Sequence, residues 1–257
     1  MNTHRCRTNN GDTMDNICDF NEKQLNNALT HAINDILQRN IFPVPNPTAY
    51  LLGGQSGAGK STIHKILLSQ NPNIIVIDGD RYRAYHPNFA EIQEKYGESA
   101  ANYTQKFVNF IINSLMKKFS SEHYNLIVEG TCRTAEVPLN TCRFLKDKGY
   151  SVNLAIMCTD KETSWQSTID RYNEMKSHGV PPRAVPRDKF EETVKAIPDN
   201  ISVLYKSGEF DNILLFNRKT ECLYNMKKQP QQNPAEIVKR ELNGKQIQHQ
   251  NKPKHRR

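Results

Sequence analysis

The chain has 257 residues, 37% of them hydrophobic and 24% charged, which supports one sizeable core with appendages or at most two small domains and excludes a disordered or collagen-like chain. No stretch approaches the roughly 20 apolar residues that span a bilayer, and the first residues lack the apolar core of a secretion signal, so a cytoplasmic protein without membrane insertion is expected. The net charge of +8 is uneven: residues 1–46 carry −1, residues 47–226 carry +2 and residues 227–257 carry +7.

In chain order, Leu25, Leu29, Ala32, Ile33, Ile36 and Leu37 recur at helical spacing, which predicts an amphipathic helix over 20–37. The segment IFPVPNPT that follows has three prolines and reads as an extended linker. Five short apolar runs come next: Tyr50–Leu52, Ile74–Ile77, Leu126–Val128, Leu154–Met157 and Ile213–Phe216. They read as parallel strands buried on both faces, with crossover helices between them. One such helix is expected from about Ala101 to Phe119. A second begins near Pro138, whose missing N–H suits a first turn, and ends at Lys148-Gly149. The reading is α/β, with a parallel sheet flanked by helices. Three regions result: an N-terminal tail, helix and linker (1–46), a central domain (47–226), and a basic, polar tail (227–257) too poor in apolar residues to bury much area. The tail reads as solvated, and no specific nucleic-acid partner is expected. Cys6, Cys18, Cys132, Cys142, Cys158 and Cys222 form no CxxC pair, which argues against a zinc site or a disulfide framework.

The strongest chemical signal is GQSGAGKS, Gly54 to Ser61, which fits G-x4-G-K-[ST] between a strand and a helix, as in P-loop NTPases. Its backbone, Gly54, Gln55, Ser56, Gly57, Ala58, Gly59, Lys60, Ser61 and Thr62, would turn N–H groups and a helix N-terminus toward a polyphosphate. Lys60 would reach the β- and γ-phosphates of ATP, and the Ser61 hydroxyl would help hold Mg²⁺. The second apolar run ends in VIDGD, placing Asp78 and Asp80 at the carboxyl edge of the sheet, where open α/β sheets bind ligands. A kinase needs a carboxylate there to accept the proton of an acceptor hydroxyl; Asp78 could instead join the metal shell. The third run ends in LIVEGTCRT, where Glu129, Thr131 and Arg133 offer an acceptor, a hydroxyl and a cation for a second substrate. Arg171, in a predicted helix, and Arg183, in the proline-rich segment after it, could form a lid over ATP. The guanine-reading NKxD signature of GTPases is missing.

Taken together, GGQSGAGKST, VIDGDRYRAYHPNF, YNLIVEGTCRT, the Arg171-Tyr172 helix and the Arg183–Pro186 segment resemble the zeta toxin family of toxin–antitoxin systems, over about Phe20 to Tyr224. The resemblance implies a sheet of the nucleotide-kinase type and an ATP-dependent kinase that phosphorylates a sugar hydroxyl of UDP-N-acetylglucosamine, a peptidoglycan precursor. It implies Lys60 and Ser61 as the phosphate-binding pair and Asp80 as the catalytic base. Glu129, Thr131 and Arg133 become acceptor-binding residues with Arg81 and Tyr103, while Arg171 and Arg183 stabilise the transferred group. Where the family often carries a sugar-contacting glutamate, this chain has Asn113, which is neutral and donates as well as accepts, and so admits a broader UDP-hexose acceptor. The resemblance also implies an epsilon-type antitoxin protein that blocks the nucleotide site. Two other readings fit the residues: a P-loop kinase for another small acceptor, such as an antibiotic or nucleoside, and a nucleotide-gated binding protein without a second substrate.

Overall fold

The structure, a computed structural model, describes residues 3–4, 16–180 and 182–244. A two-residue antiparallel ribbon pairs β1 (Thr3–His4) with β2 (Phe20–Asn21). The first long helix, α1 (Glu22–Leu37), starts in a capping box: Asn21 accepts from the Gln24 N–H while the Gln24 side chain accepts from the Asn21 N–H.

The strands of the main sheet are β3 (Thr48–Gly53), β4 (Ile75–Ile77), β5 (Leu126–Glu129), β6 (Ser151–Met157), β7 (Asn212–Phe216) and β8 (Cys222–Asn225). Their order is β4-β5-β3-β6-β7-β8, parallel except for β8 against β7. The five apolar runs of the sequence are the five parallel strands, as expected of segments buried on both faces. In β3, Ala49 and Leu51 enter one core and Leu52 the other; in β6, Leu154 and Ile156 part from Ala155 and Met157 in the same way. The strand β8 was not expected. It is short and has one fully buried side chain, Tyr224, so its composition carries little strand signal.

Helices cover both faces: α2 (Lys60–Gln70), α3 (Phe89–Tyr96), α4 (Ala100–Tyr103), α5 (Gln105–Ser121), α6 (Glu136–Lys146), α7 (Lys161–Ser177), α8 (Arg187–Lys206) and α9 (Ala235–Leu242). The helix expected from Ala101 to Phe119 is two, interrupted at Thr104, whose hydroxyl donates to Ala100 O and accepts from Arg83 Nη1. Gly149 takes the left-handed conformation expected after α6, with φ +81°.

The C-terminal segment departs from the expectation of a tail. Residues 235–242 form α9, which buries Ala235, Ile237, Val238 and Leu242 against α8. Lys239, Arg240, Glu236 and Glu241 interleave these apolar residues, so the charge of the segment concealed the helical stripe. Residues 245–257 lie outside the described residues. Among the described residues no helix is long and apolar enough to cross a membrane.

Candidate active site

The phosphate loop follows β3, the strand whose two neighbours, β5 and β6, carry the chain to opposite sides of the sheet, which is where open α/β sheets form a crevice. Its curl needs glycine. At Gly57 (φ +72°) a Cβ would lie 2.0 Å from Ser164 O, and Gly59 (φ +94°) caps α2 in the left-handed region. Gln55 is fully buried, and its amide donates to Thr159 O and Ser164 Oγ, so this side chain braces the loop while its backbone stays part of the cradle. Lys60 Nζ donates to Gly54 O (3.1 Å) and Gln55 O (3.3 Å), and lies 3.6 Å from Glu129 Oε1. Ser61 is exposed and Thr62 half-buried in the first turn of α2.

Glu129, the last residue of β5, therefore meets the phosphate loop directly. Its other oxygen lies 3.2 Å from His64 Nε2, close enough to pair when the ring is protonated. Burial would raise the Glu129 pKa, but His64 and Lys60 outweigh it and hold the carboxyl below its ordinary value. His64 was not singled out from the sequence. It stands four residues after Lys60, one turn along the same helix face, and that spacing was the available signal.

A cleft of about 550 Å³ opens beside this pair, lined by Ser56 of the phosphate loop, Glu129, Thr131 and Arg133 of the segment after β5, Gln105 and Asn109 of α5, Val137 of α6, and Lys189, Phe190 and Thr193 of α8. Thr131 and Arg133 thus line the same cleft as Ser56 of the phosphate loop. Asn113 does not: it is exposed on α5 and does not line the cleft, whose amide wall is supplied by Gln105 and Asn109, two turns and one turn earlier. Tyr103 stacks on Tyr96, with ring centroids 3.6 Å apart, and Arg81 lines a separate small cavity with Asp35 and Arg39 of the α1 region. Neither lines the cleft.

Asp80 is 43% exposed and is gripped by two cations, Arg83 Nε at 3.1 Å and Arg183 Nη1 at 2.6 Å. Partial desolvation would raise its pKa; Arg183 and Arg83 outweigh that and keep the carboxyl ionised below the usual carboxylate range. Arg83 also donates to Gln105 Oε1 (2.8 Å), and Gln105 donates to Asn109 Oδ1 (2.8 Å), so a polar chain runs from Asp80 to the cleft wall. Asp78 accepts the Asp80 N–H, and its pKa is raised by burial and by the Glu129 charge. Arg171 on α7 is half-buried, with Nε lacking a hydrogen-bond partner among the described residues. Burial first, and Arg183 second, lower its pKa. Lys60, Arg83, Arg171 and Arg183 thus stand among the carboxylates of Asp78, Asp80 and Glu129, and the unused buried donor of Arg171 makes a place suited to an incoming anion.

Two more side chains act here that the sequence did not reveal. Arg218, in the turn between β7 and β8, donates to Gly57 O, Ala58 O (3.3 Å) and Ser167 Oγ (2.8 Å). Asn200 on α8 donates to the carbonyls of Cys132 (3.0 Å) and Arg133 (2.7 Å). Both contacts join segments far apart in the chain, and nothing local marks either residue.

Comparison with known proteins shows the family. The chain is 39% identical over 215 residues to the toxin PezT of Streptococcus pneumoniae, which spans 82% of this chain and 84% of that protein. It is 35% identical over 241 residues to the toxin zeta of Streptococcus pyogenes, with coverage of 91% and 84%. A solved structure from the chromosomal PezAT toxin–antitoxin system of S. pneumoniae superposes with a TM-score of 0.80 at 35% identity, covering 91% of this chain and 92% of that one. The zeta toxin family model matches residues 33–229, which include the phosphate loop, both acidic strand ends and the arginines facing them, and the chain belongs to that family.

Proposed function

We propose that this protein transfers the γ-phosphoryl group of ATP to a hydroxyl of UDP-N-acetylglucosamine or a related UDP-hexose, and so acts as a toxin that drains a cell-wall precursor. The observation that carries the reading is the 3.6 Å approach of Lys60 Nζ to Glu129 Oε1 at the edge of the 550 Å³ cleft. The lysine that would hold the terminal phosphates and the acid that would hold the acceptor share one place.

In this reading the acceptor sits in the cleft between α5 and α8, where the amides of Gln105 and Asn109 and the hydroxyls of Thr131 and Thr193 suit neutral sugar hydroxyls and Arg133 and Lys189 suit a diphosphate. The acceptor oxygen attacks the γ-phosphorus, the bond to the ADP oxygen breaks, and the hydroxyl proton passes to Asp80. A phosphoryl group at the cradle competes with Asp80 for Arg183. As that guanidinium turns to the phosphoryl oxygens, Asp80 loses a stabilising cation and becomes a better base. Arg171, with its unused Nε donor, faces the charge that develops on the migrating group. Ser61 and Asp78 would hold a magnesium ion, because a divalent cation would offset the cost of burial and the Glu129 repulsion that raise the Asp78 pKa. When bound, the ion would neutralise charge on the β- and γ-oxygens.

The solved relative comes from a toxin–antitoxin system. An epsilon-type antitoxin protein that covers the phosphate loop is the partner we propose for this chain, in the cytoplasm.

The test is ADP release by purified protein. It should rise with added UDP-N-acetylglucosamine and be abolished by Lys60→Ala or Asp80→Ala, with the circular dichroism of the sheet preserved. Mass spectrometry should find the sugar nucleotide heavier by one phosphoryl group. No ADP release dependent on any UDP-hexose would reject the assignment.

A further inference from the structure

Between Thr131 and Arg133, the two cleft residues after β5, lies a side chain in an unusual backbone conformation. Cys132 has φ +55°, in the left-handed region that non-glycine residues occupy only at a steric cost. Such a conformation persists only where the surroundings impose it. Here they do so from two sides. The Cys132 side chain is 6% exposed and turns inward over Gly53, at the end of β3, where a Cβ would come within 2.4 Å of its sulfur. From the opposite direction, the side-chain amide of Asn200 donates to Cys132 O and to Arg133 O. One NH₂ group thus fixes two successive carbonyls.

The position of Asn200 on its helix matters as much as its hydrogen bonds. It stands seven residues after Thr193 and eleven after Lys189, two and three turns along one face of α8, and both of those residues line the cleft. The same helix therefore forms a wall of the cleft and holds the segment that forms its floor. The segment is also tied to the phosphate loop, since the Gly54 N–H donates to Thr131 O, and it is folded on itself by the Arg133 N–H donating to Thr131 Oγ1.

We propose that Asn200 is a positioning residue for the acceptor substrate: by holding the Cys132 and Arg133 carbonyls, its amide keeps Cys132 left-handed and sets Thr131 and Arg133 toward the cleft. This deepens the kinase reading and rests on it for the identity of the acceptor. Asn200 touches neither substrate in this scheme. Its loss acts through the loop and leaves the phosphate cradle in place.

The experiment has one arm that needs the acceptor and one that does not. With ATP and UDP-N-acetylglucosamine, Asn200→Ala and Asn200→Asp should raise the KM of the sugar nucleotide about tenfold while the KM of ATP stays within about twofold. Aspartate cannot donate to two carbonyls and should fare no better than alanine. In the Cys132→Gly background, where no left-handed penalty has to be held, the loss on Asn200→Ala should shrink to under about threefold. Independently of any acceptor, Asn200→Ala should speed alkylation of Cys132 by iodoacetamide, followed by peptide mass spectrometry, because the released segment exposes the buried thiol. Equal changes in both KM values, a tenfold loss that persists in the Cys132→Gly background, or an unchanged alkylation rate would overturn the proposal. Should the wild type release no ADP with any UDP-sugar, the acceptor reading fails, and the alkylation arm still decides whether Asn200 holds the segment.

Discussion

Asp78 ends the approach from β4 to the site, and burial together with the Glu129 carboxylate raises its pKa above the ordinary value. An acid whose folded pKa exceeds its unfolded one binds its proton more tightly in the native protein. The ionised form is then destabilising at every pH above both values, and the penalty fades as pH falls, to vanish below the unfolded pKa of about 4. Asparagine at this position keeps an oxygen to accept the Asp80 N–H, an interaction at which it is as capable as aspartate, and removes the charge. Asp78→Asn should therefore raise the melting temperature of the ligand-free protein by about 2 °C at pH 7, a gain that disappears near pH 4. The same substitution should depress turnover at least tenfold if the carboxylate helps hold magnesium. Scanning calorimetry at the two pH values, with ADP release measured alongside, checks both parts. A melting temperature that falls at pH 7 would show that the charge is compensated by something other than a bound cation. Stability lost by the free protein and recovered with the ligand is the expected signature of a functional carboxylate.

At the scale of elements, the phosphate loop is held in shape from outside. Ala58 O accepts from Thr159 Oγ1 at 2.7 Å and from Arg218 Nε at 3.3 Å. A trans peptide points its N–H opposite to its C=O, so these two donors, on one side, send the Gly59 N–H toward the other side, into the cradle. Removing Arg218 frees the Gly57 carbonyl and weakens the hold on that of Ala58, which Thr159 still binds. Arg218→Ala should accordingly raise the KM of ATP about fivefold and leave that of the sugar nucleotide within about twofold, the reverse of the pattern expected at Asn200. Lysine, a single point donor in place of a planar fork, should rescue it only in part. Steady-state kinetics with each substrate varied in turn measure this, and an unchanged KM for ATP would dismiss the role. The contrast with the loop itself shows what a sequence can carry. The phosphate loop was legible because its chemistry is contiguous: glycines, lysine and serine act within eight residues of one another. The parallel strands were legible because burial on both faces leaves uninterrupted apolar runs. Asp80, Glu129, Thr131 and Arg133 were legible because each stands at or just after the end of such a run. Arg218 and Asn200 were not, since each works through hydrogen bonds made across 51 or more residues of chain. Asn113 rested on the family resemblance alone, and on α5 it is exposed and outside the residues that line the cleft.

Over the whole molecule, the cleft depends on a helix stack that begins beyond the phosphate loop and the acidic strand ends. The helix α8 presents Lys189, Phe190 and Thr193 to the cleft, and its back is covered by α9, through Ile237, Val238 and Leu242. The connection between β8 and α9 is anchored as well: Tyr224 Oη donates to Gln229 O and Gln232 O, Tyr205 Oη donates to Pro230 O, and Asn233 Nδ2 donates to Ser202 Oγ. The segment that composition marked as a tail is thus part of the core as far as residue 242. Val238 is fully buried, and a carboxylate there would lose its water with no cation paired to it, at a cost of about 3 kcal/mol or more. Val238→Asp should lower the melting temperature by about 6 °C or more. Because the damage reaches the site through α8, the folded fraction should show a higher KM for the sugar nucleotide before any change in the KM of ATP, whose cradle is built on β3 and α2 at the other side of the cleft. A variant whose two KM values rise in step would mean that α9 supports the sheet as a whole and has no preferential hold on the acceptor wall.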